Sequence, residues 1–170
     1  EISLSGNADV DGPMSVTSTG QVDIENQGNS RIGGDLTLDT DSQVSIQAEE
    51  QSTIDGAVDV STASQVDAGF SGGASVNGPL VIDTDSSVSL SIAGSTIDGD
   101  VTIDTSASVE MDVSESSSIN GDIDINASGQ IDLEISDSAT VAGGIIAETE
   151  SQTNVNLDGS GVAVDGGITV

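Results

Sequence analysis

A motif of one hydrophobic residue, any residue and glycine recurs eight times along the chain, about every 22 residues. The successive spacings are 22, 22, 22, 21, 22, 22 and 23, and the motifs begin at Val10, Ile32, Ile54, Val76, Ile97, Ile119, Val141 and Val164. A fixed period of this length indicates structural units that stack along one axis. Since one deletion and one insertion cancel, we expect a single domain over residues 1–170 in which each repeat forms one coil.

Apolar residues follow an even period inside each repeat. With the first motif residue as position 0, they fall at positions 0, 4, 6, 12, 14 and 16, and glycine falls at position 2. In the repeat that begins at Ile119, for example, the apolar Ile123 and Ile131 have the polar Asp124 and Asp132 beside them. This alternation is typical of strands with one buried and one wet face. We expect a strand of about seven residues, a turn, a strand of about five and a looser return, giving two or three faces per coil.

These patterns predict an all-β fold, a single right-handed parallel β-solenoid (β-helix) of about eight 22-residue coils around an aliphatic core. The glycine at position 2 indicates a bend, or a close approach of two backbones that a Cβ atom would block. Position 8 repeats threonine at Thr40, Thr62, Thr84, Thr105 and Thr149. Because this position is even, we expect these threonines to point inward or to lie at a corner.

The charge of the chain restricts its partners. The formal net charge is −29, because 30 acidic residues face a single base, Arg31. Such a charge argues against nucleic acids and anionic membrane surfaces as partners. No apolar stretch approaches the length of a membrane span, so membrane insertion is not expected. A self-repelling surface needs salt or divalent cations, which favours an extracellular setting. Arg31 is expected to pair with Glu49, Glu50 or Asp55.

Outward carboxylates recur at the odd positions 1, 7 and 13. Neutral residues often separate them, which reduces a repulsion of about 1 kcal/mol between neighbouring unit charges in water. Asp83 and Asp104 are adjacent in successive coils, and so are Glu110 and Asp132. Oxygen-rich surfaces suit Ca²⁺, so these four residues are candidate metal ligands that would bridge coils weakly. The alternative is a solvated, self-repelling face; in either case no cofactor is required.

The first and last residues of the sequence have the pattern of matching edges. Ile2 and Leu4 occupy positions 14 and 16 of an incomplete coil, whereas Val164, Ile168 and Val170 occupy positions 0, 4 and 6. If a second copy stacks on the first, the two incomplete coils together form one coil that lacks only positions 7 to 12. These five residues are therefore the predicted assembly interface of an open-ended, head-to-tail filament.

Two other interpretations of these ends stay open. The sequence is also compatible with a fragment of a longer repeat protein whose ends fall within a coil. A cap could instead be hidden in the seventh coil, where Ile145-Ile146 and Val155-Asn156-Leu157 look irregular. Natural solenoids commonly cover their terminal strand edges with such a cap.

The chain resembles two groups of right-handed β-solenoid proteins, through segments such as Ile-Asn-Gly-Asp-Ile-Asp-Ile at residues 119–125. One group comprises adhesin stalks of the filamentous-haemagglutinin and autotransporter type, and the other, more distant, comprises the polymer-forming bactofilins. The resemblance spans the whole chain and implies a structural role. Bactofilins are cytoplasmic scaffolds with shorter coils and ordinary lysine and arginine content. The near-absence of bases here therefore favours the extracellular group.

We therefore expect a structural subunit of an extracellular or cell-surface filament or matrix fibre, as in a biofilm matrix, with copies of itself and divalent cations as partners. The alternative is a fragment of a larger secreted adhesin or surface-binding module. An enzyme is not expected, because β-helical enzymes acting on acidic sugars need bases that this chain, with Arg31 alone, does not supply. Ice binding is disfavoured because no flat outward Thr-x-Thr array emerges.

Overall fold

A computed structural model describes all 170 residues, which form 24 β-strands in three parallel sheets of eight strands each. Sheet 1 contains β1 (Ile2–Leu4), β4 (Val22–Asn26), β7 (Val44–Ala48), β10 (Val66–Ser71), β13 (Val88–Ala93), β16 (Val109–Ser114), β19 (Ile131–Ser136) and β22 (Thr153–Asp158). Sheet 2 contains β2 (Asp9–Val10), β5 (Arg31–Ile32), β8 (Thr53–Ile54), β11 (Ser75–Val76), β14 (Thr96–Ile97), β17 (Ser118–Ile119), β20 (Thr140–Val141) and β23 (Ala163–Val164). Sheet 3 contains β3 (Met14–Ser18), β6 (Leu36–Thr40), β9 (Val58–Thr62), β12 (Leu80–Thr84), β15 (Val101–Thr105), β18 (Ile123–Ala127), β21 (Ile145–Thr149) and β24 (Ile168–Thr169). No helix long and apolar enough to cross a membrane is present.

Each strand pairs in parallel with the equivalent strand of the next coil, so the three sheets run along the stacking axis. Paired residues are 22 apart in most of the structure, as for Val44 and Val66. The separation is 21 between Ser75 and Thr96, and 23 between Thr140 and Ala163. The predicted parallel β-solenoid of about eight coils is confirmed. Its right-handedness stays a prediction from the general crossover preference.

The core is one cluster of 38 buried hydrophobic residues that fills the space between the three sheets. Even positions point inward, so that Val44 and Ile46 are fully buried while Ser45 between them is partly exposed. Burial of one such aliphatic side chain stabilises the fold by about 1.5–3 kcal/mol. Phe70, the only aromatic residue, lies next to the small Ala48 of the preceding coil. The stack therefore fits its one large side chain by placing a small one beside it.

The glycine corner joins sheet 2 to sheet 3 and consists of Gly12, Gly34, Gly56, Gly78, Gly99, Gly121, Gly143 and Gly166. The expected strand of about seven residues across this region is wrong. A two-residue strand ends at position 0, the chain bends at glycine, and a new strand begins at position 4. A Cβ atom on Gly99 would lie 2.5 Å from the backbone nitrogen of Pro79 in the preceding coil. The predicted close approach is thus confirmed, and it leaves no room for a Cβ atom at any glycine of this corner except Gly12 in the first coil.

The left-handed corner joins sheet 1 to sheet 2, and every residue with positive φ lies in it: Gly6, Gly28, Glu50, Gln51, Gly72, Gly73, Gly94, Glu115, Ser116, Asp137, Ser138, Gly159 and Gly161. The deletion falls here, because β10 and β13 pair 22 residues apart whereas β11 and β14 pair 21 apart. The insertion falls here as well, between the pairings of β19 with β22 and of β20 with β23. This corner therefore absorbs changes of length without disturbing the sheets.

The threonine corner joins sheet 3 to sheet 1. The Thr84 hydroxyl donates to the carbonyl oxygen of Ser64 (2.6 Å) and accepts the N–H of Ser86 (3.2 Å). The same two bonds form at Thr40, Thr62, Thr105 and Thr149. The expectation that these threonines lie inward or at a corner is confirmed. Where Ala127 replaces threonine, the N–H of Gly129 donates to the Ala107 carbonyl instead (2.9 Å).

Candidate functional site

The N-terminal edge consists of β1, β2 and β3, each of which pairs with a neighbouring strand on one side only. Ile2 and Leu4 of the predicted interface are half-buried and pack against the core. Val10, Met14 and Val16 are also half-buried at this edge, and the predicted interface omits them. Their positions 0, 4 and 6 match those of the C-terminal residues that it includes. The N-terminal edge is therefore broader than predicted and involves all three sheets.

The C-terminal edge consists of β22, β23 and β24 and exposes more apolar surface. Of the predicted residues, Val164 is half-buried, while Ile168 and Val170 are 43% and 74% exposed. Leu157, which the prediction omits, is 45% exposed at the same edge. Most equivalent residues of the central coils are fully buried. Both ends of the stack thus present core-column side chains and unpaired strand edges.

The seventh coil keeps the register of its neighbours, so the irregularity expected there is wrong. Val155 and Leu157 pair with Leu133 and Ile135 at positions 14 and 16, and Ile145 keeps position 4. The coil contributes one strand to each sheet, as the others do. The seventh coil differs in the polarity of one core position, because Thr153 stands at position 12 where the other coils have valine or isoleucine. The seventh coil is therefore not a cap.

The four predicted metal ligands lie in two separate pairs. Asp83 and Asp104 are register partners on the outer face of sheet 3, and Glu110 and Asp132 are register partners on sheet 1. The predicted adjacency within each pair is confirmed, but the pairs do not meet. Asp132 accepts a hydrogen bond from the side-chain amide of Gln130 (2.7 Å), which occupies part of its acceptor capacity.

Sheet 1 adds two carboxylates beside the second pair. Asp112 and Glu134 are register partners two residues further along, so that with Glu110 and Asp132 they form a four-carboxylate patch, which we call the sheet 1 acidic patch. No three acidic, histidine or cysteine side chains in the structure are placed to hold a metal ion together. The arrangement supports diffuse association of cations by charge. Weak Ca²⁺ bridging stays a prediction.

Amides separate carboxylates along position 1. The Nδ2 atom of Asn77 donates to Oδ1 of Asp55 (3.3 Å), and Nδ2 of Asn120 donates to Oδ1 of Asp98 (2.6 Å). Each asparagine therefore replaces a like-charge contact by a charge-assisted hydrogen bond to the preceding coil. This column lies at the outer edge of sheet 2, just after the strands end, and alternates aspartate with asparagine from Asp55 to Asn120.

Arg31 joins three successive coils on the outer face of sheet 2. Its Nε atom donates to Oδ2 of Asp55 (2.8 Å), Nη2 contacts the same oxygen, and Nη1 donates to Oδ1 of Asp9 (3.2 Å). The hydrogen bonds that Arg31 donates to Asp55 and then, with a smaller effect, to Asp9 raise the pKa of Arg31 above its ordinary value. Of the three partners expected, Asp55 is confirmed, whereas the second carboxylate comes from Asp9 and not from Glu49 or Glu50. The single base therefore serves a local structural contact.

Aspartates at position 3 have a role that the sequence analysis missed. Asp35 accepts the backbone N–H of Ala57 (2.9 Å), and Asp100 accepts that of Asp122 (2.9 Å). Asp122 in turn accepts the N–H of Gly144 (2.7 Å). These carboxylates satisfy backbone donors of the next coil just after the glycine corner, where no strand ladder does so. The sequence did contain a signal for this role, because aspartate recurs at position 3, directly after the glycine of the motif.

No protein-family model matches the chain, and no match was found among curated proteins or solved structures.

Proposed function

We propose that the protein is a structural subunit of an extracellular or cell-surface filament or matrix fibre, whose copies stack head-to-tail through their edge coils. The observation that carries the proposal is the correspondence between the two edges in all three sheets. Stacking would pair β22 with β1, β23 with β2 and β24 with β3 of the next copy, continuing the order found inside the molecule. A heterologous contact of this kind does not close and produces a fibre.

The side chains at the two edges suit such a junction. In register, Leu157 would lie beside Leu4, Val164 beside Val10, and Ile168 beside Met14, and these residues share positions with buried residues of the central coils. Removing this apolar surface from water stabilises the contact by about 25 cal/mol per Å². Pairing of the exposed strand edges adds backbone hydrogen bonds. The junction would therefore repeat the packing of an internal coil.

Charge would make this assembly depend on cations. With a net charge of −29, copies repel one another over about 10 Å at moderate ionic strength. The junction would also place Asp165 over Asp11 at position 1, without the intervening amide found between Asp55 and Asp98. Divalent cations would relieve this repulsion and bridge the acidic faces weakly. The resemblance to secreted adhesin stalks and the near-absence of bases support an extracellular role.

Negative-stain electron microscopy and analytical ultracentrifugation of the purified chain across salt and Ca²⁺ concentrations test the proposal. We expect filaments with an axial repeat of about 38 Å per subunit, from about eight coils spaced by about 4.8 Å. Ile168→Asp places a charge at the C-terminal edge and should abolish filaments. The matched control is Ile146→Asp, because Ile146 is 40% exposed but lies on the outer face of sheet 3. Monomers under every condition, or equal effects of the two variants, would overturn the proposal.

A further inference from the structure

Two asparagines in the position 1 column are each followed by a residue of the glycine corner. These are Asn77-Gly78 and Asn120-Gly121, and no other asparagine in the chain precedes glycine. In an Asn-Gly pair the backbone nitrogen of glycine can reach the side-chain carbonyl carbon without hindrance from a Cβ atom. Asparagine is among the thermolabile residues for this reason. Here the repeat itself places this reactive pair at one defined corner of the coil.

The structure leaves both partners of the reaction accessible. The side chains of Asn77 and Asn120 are exposed. The N–H groups of Gly78 and Gly121 donate no hydrogen bond within the protein. By contrast, the N–H of Gly143 at the same corner donates to the Gly121 carbonyl (3.1 Å). The two nucleophilic nitrogens are therefore not held by a hydrogen bond, as those of Gly143 and Gly166 in the last two coils are.

We propose that Asn77 and Asn120 are sites of spontaneous deamidation in the folded protein. The glycine nitrogen attacks the asparagine Cγ atom, a Cγ–N bond forms, and the Cγ–Nδ2 bond breaks. The leaving amide takes the proton of the glycine N–H and departs as ammonia, leaving a succinimide ring. Water then opens the ring at either of its two carbonyl carbons, which yields aspartate or isoaspartate. The modification is independent of filament assembly and does not rest on the proposed function.

Both products would disturb the stack. Loss of the two amides removes the donors to Asp55 and Asp98 and leaves four carboxylates in successive coils, at residues 55, 77, 98 and 120. Like charges on adjacent strands repel. Isoaspartate also adds a methylene to the backbone beside Gly78, where even a Cβ atom would lie 2.8 Å from the backbone nitrogen of Ala57. Deamidation should therefore lower the thermal stability, most strongly at low salt.

The test is incubation of the full folded chain in mildly alkaline buffer, followed by ammonia measurement and peptide mapping that distinguishes aspartate from isoaspartate. Asn126, which is exposed and followed by Ala127, is the internal reference. We expect deamidation at Asn77 and Asn120 to be at least about tenfold faster than at Asn126, because glycine offers no steric hindrance. The rate should rise with pH, and the melting temperature should fall as product accumulates.

The double variant Asn77→Gln and Asn120→Gln keeps both amides but would cyclise much more slowly, so it should release little ammonia and keep its melting temperature. The variant Asn77→Asp and Asn120→Asp installs the charges without the isoaspartate linkage and separates the two effects. Reaction at both sites in denaturant but not in the folded protein would overturn the proposal. Equal rates at Asn77, Asn120 and Asn126 in the folded protein would also overturn it.

Discussion

The glycine corner and the left-handed corner both depend on glycine, but for different physical reasons. At the glycine corner φ is ordinary, and the constraint is space, because the backbone of the preceding coil lies where a Cβ atom would be. At the left-handed corner the constraint common to all coils is the positive φ, whereas space varies: nothing lies within 4 Å of an added Cβ atom on Gly6, but one on Gly28 would lie 2.7 Å from the backbone oxygen of Gly6. Only the first corner has glycine in all eight coils. The second accepts glutamate, glutamine, serine and aspartate in three of them.

The difference shows which parts of the coil can vary. A contact between backbones of neighbouring coils fixes the corner in every repeat, because a change in one coil clashes with the next. A local dihedral requirement concerns one coil at a time, so residue type and loop length can both change. The one deletion and the one insertion of the chain are found at the left-handed corner, as this reasoning requires.

The largest expected effect is that of Gly99→Ala in the glycine corner. The added Cβ atom would lie 2.5 Å from the nitrogen and 2.7 Å from the Cα atom of Pro79, and backbone cannot move aside without shifting a coil. We expect the free energy of unfolding, measured by urea titration, to fall by about 3 kcal/mol.

Gly12→Ala is the matched control for this prediction. Gly12 occupies the same position in the first coil, but no atom lies within 4 Å of its added Cβ atom. Its effect should stay within about 0.5 kcal/mol, the range of ordinary surface substitutions. Similar losses from the two variants would show that the conformation of glycine, and not the space between coils, governs this corner.

Gly94→Ala tests the left-handed corner and should cost less, about 1 kcal/mol, because an L-residue pays mainly the strain of a left-handed conformation. Gly94 has φ of 61°, and its added Cβ atom would meet only ordinary contacts, at 3.5 Å or more. Gly94→Asn should cost less than Gly94→Ala in thermal unfolding, because asparagine tolerates this region. At Gly99, asparagine should be no better than alanine. Rescue by asparagine at both glycines would remove the distinction between the corners.

Much of the fold was predictable because the inward-facing residues repeat. The even spacing of Val44, Ile46 and their equivalents gave the strands, the pairing register and the buried faces. The glycine motif indicated the close approach but not the break of the strand. Positions 0 and 4 are both even and both inward-facing, so the alternation looks the same for one continuous strand as for two strands separated by a bend. The left-handed corner was not predicted, since residues such as Glu50 and Ser116 carry no sign of a positive φ.

The candidate site was predicted less completely. Ile2 and Val164 follow from their column positions, and the same reasoning applied to Met14 and Leu157 would have given the full edges. Of the hydrogen bonds between coils, that of Arg31 with Asp55 was predicted, but those of the aspartates were not, because they depend on which carboxylate faces a free backbone donor. Asp35, for example, caps a backbone N–H of the next coil, whereas Asp83 lies on an open sheet face.

The smallest effect is expected at a residue that already carries the strain of the left-handed corner. Ser116 has φ of 64°, is exposed, and its hydroxyl makes no hydrogen bond within the protein. Ser116→Gly removes the left-handed strain, and Ser116→Ala removes only the hydroxyl. We expect the glycine variant to be more stable than the alanine variant by about 0.5–1 kcal/mol, after the larger entropy loss of glycine on folding is subtracted. Thermal unfolding of both variants measures the difference. An alanine variant as stable as the glycine variant would mean that the backbone of this corner relaxes around its side chains. The variation of residue type between coils would then reflect a flexible backbone and not a tolerated strain from the positive φ.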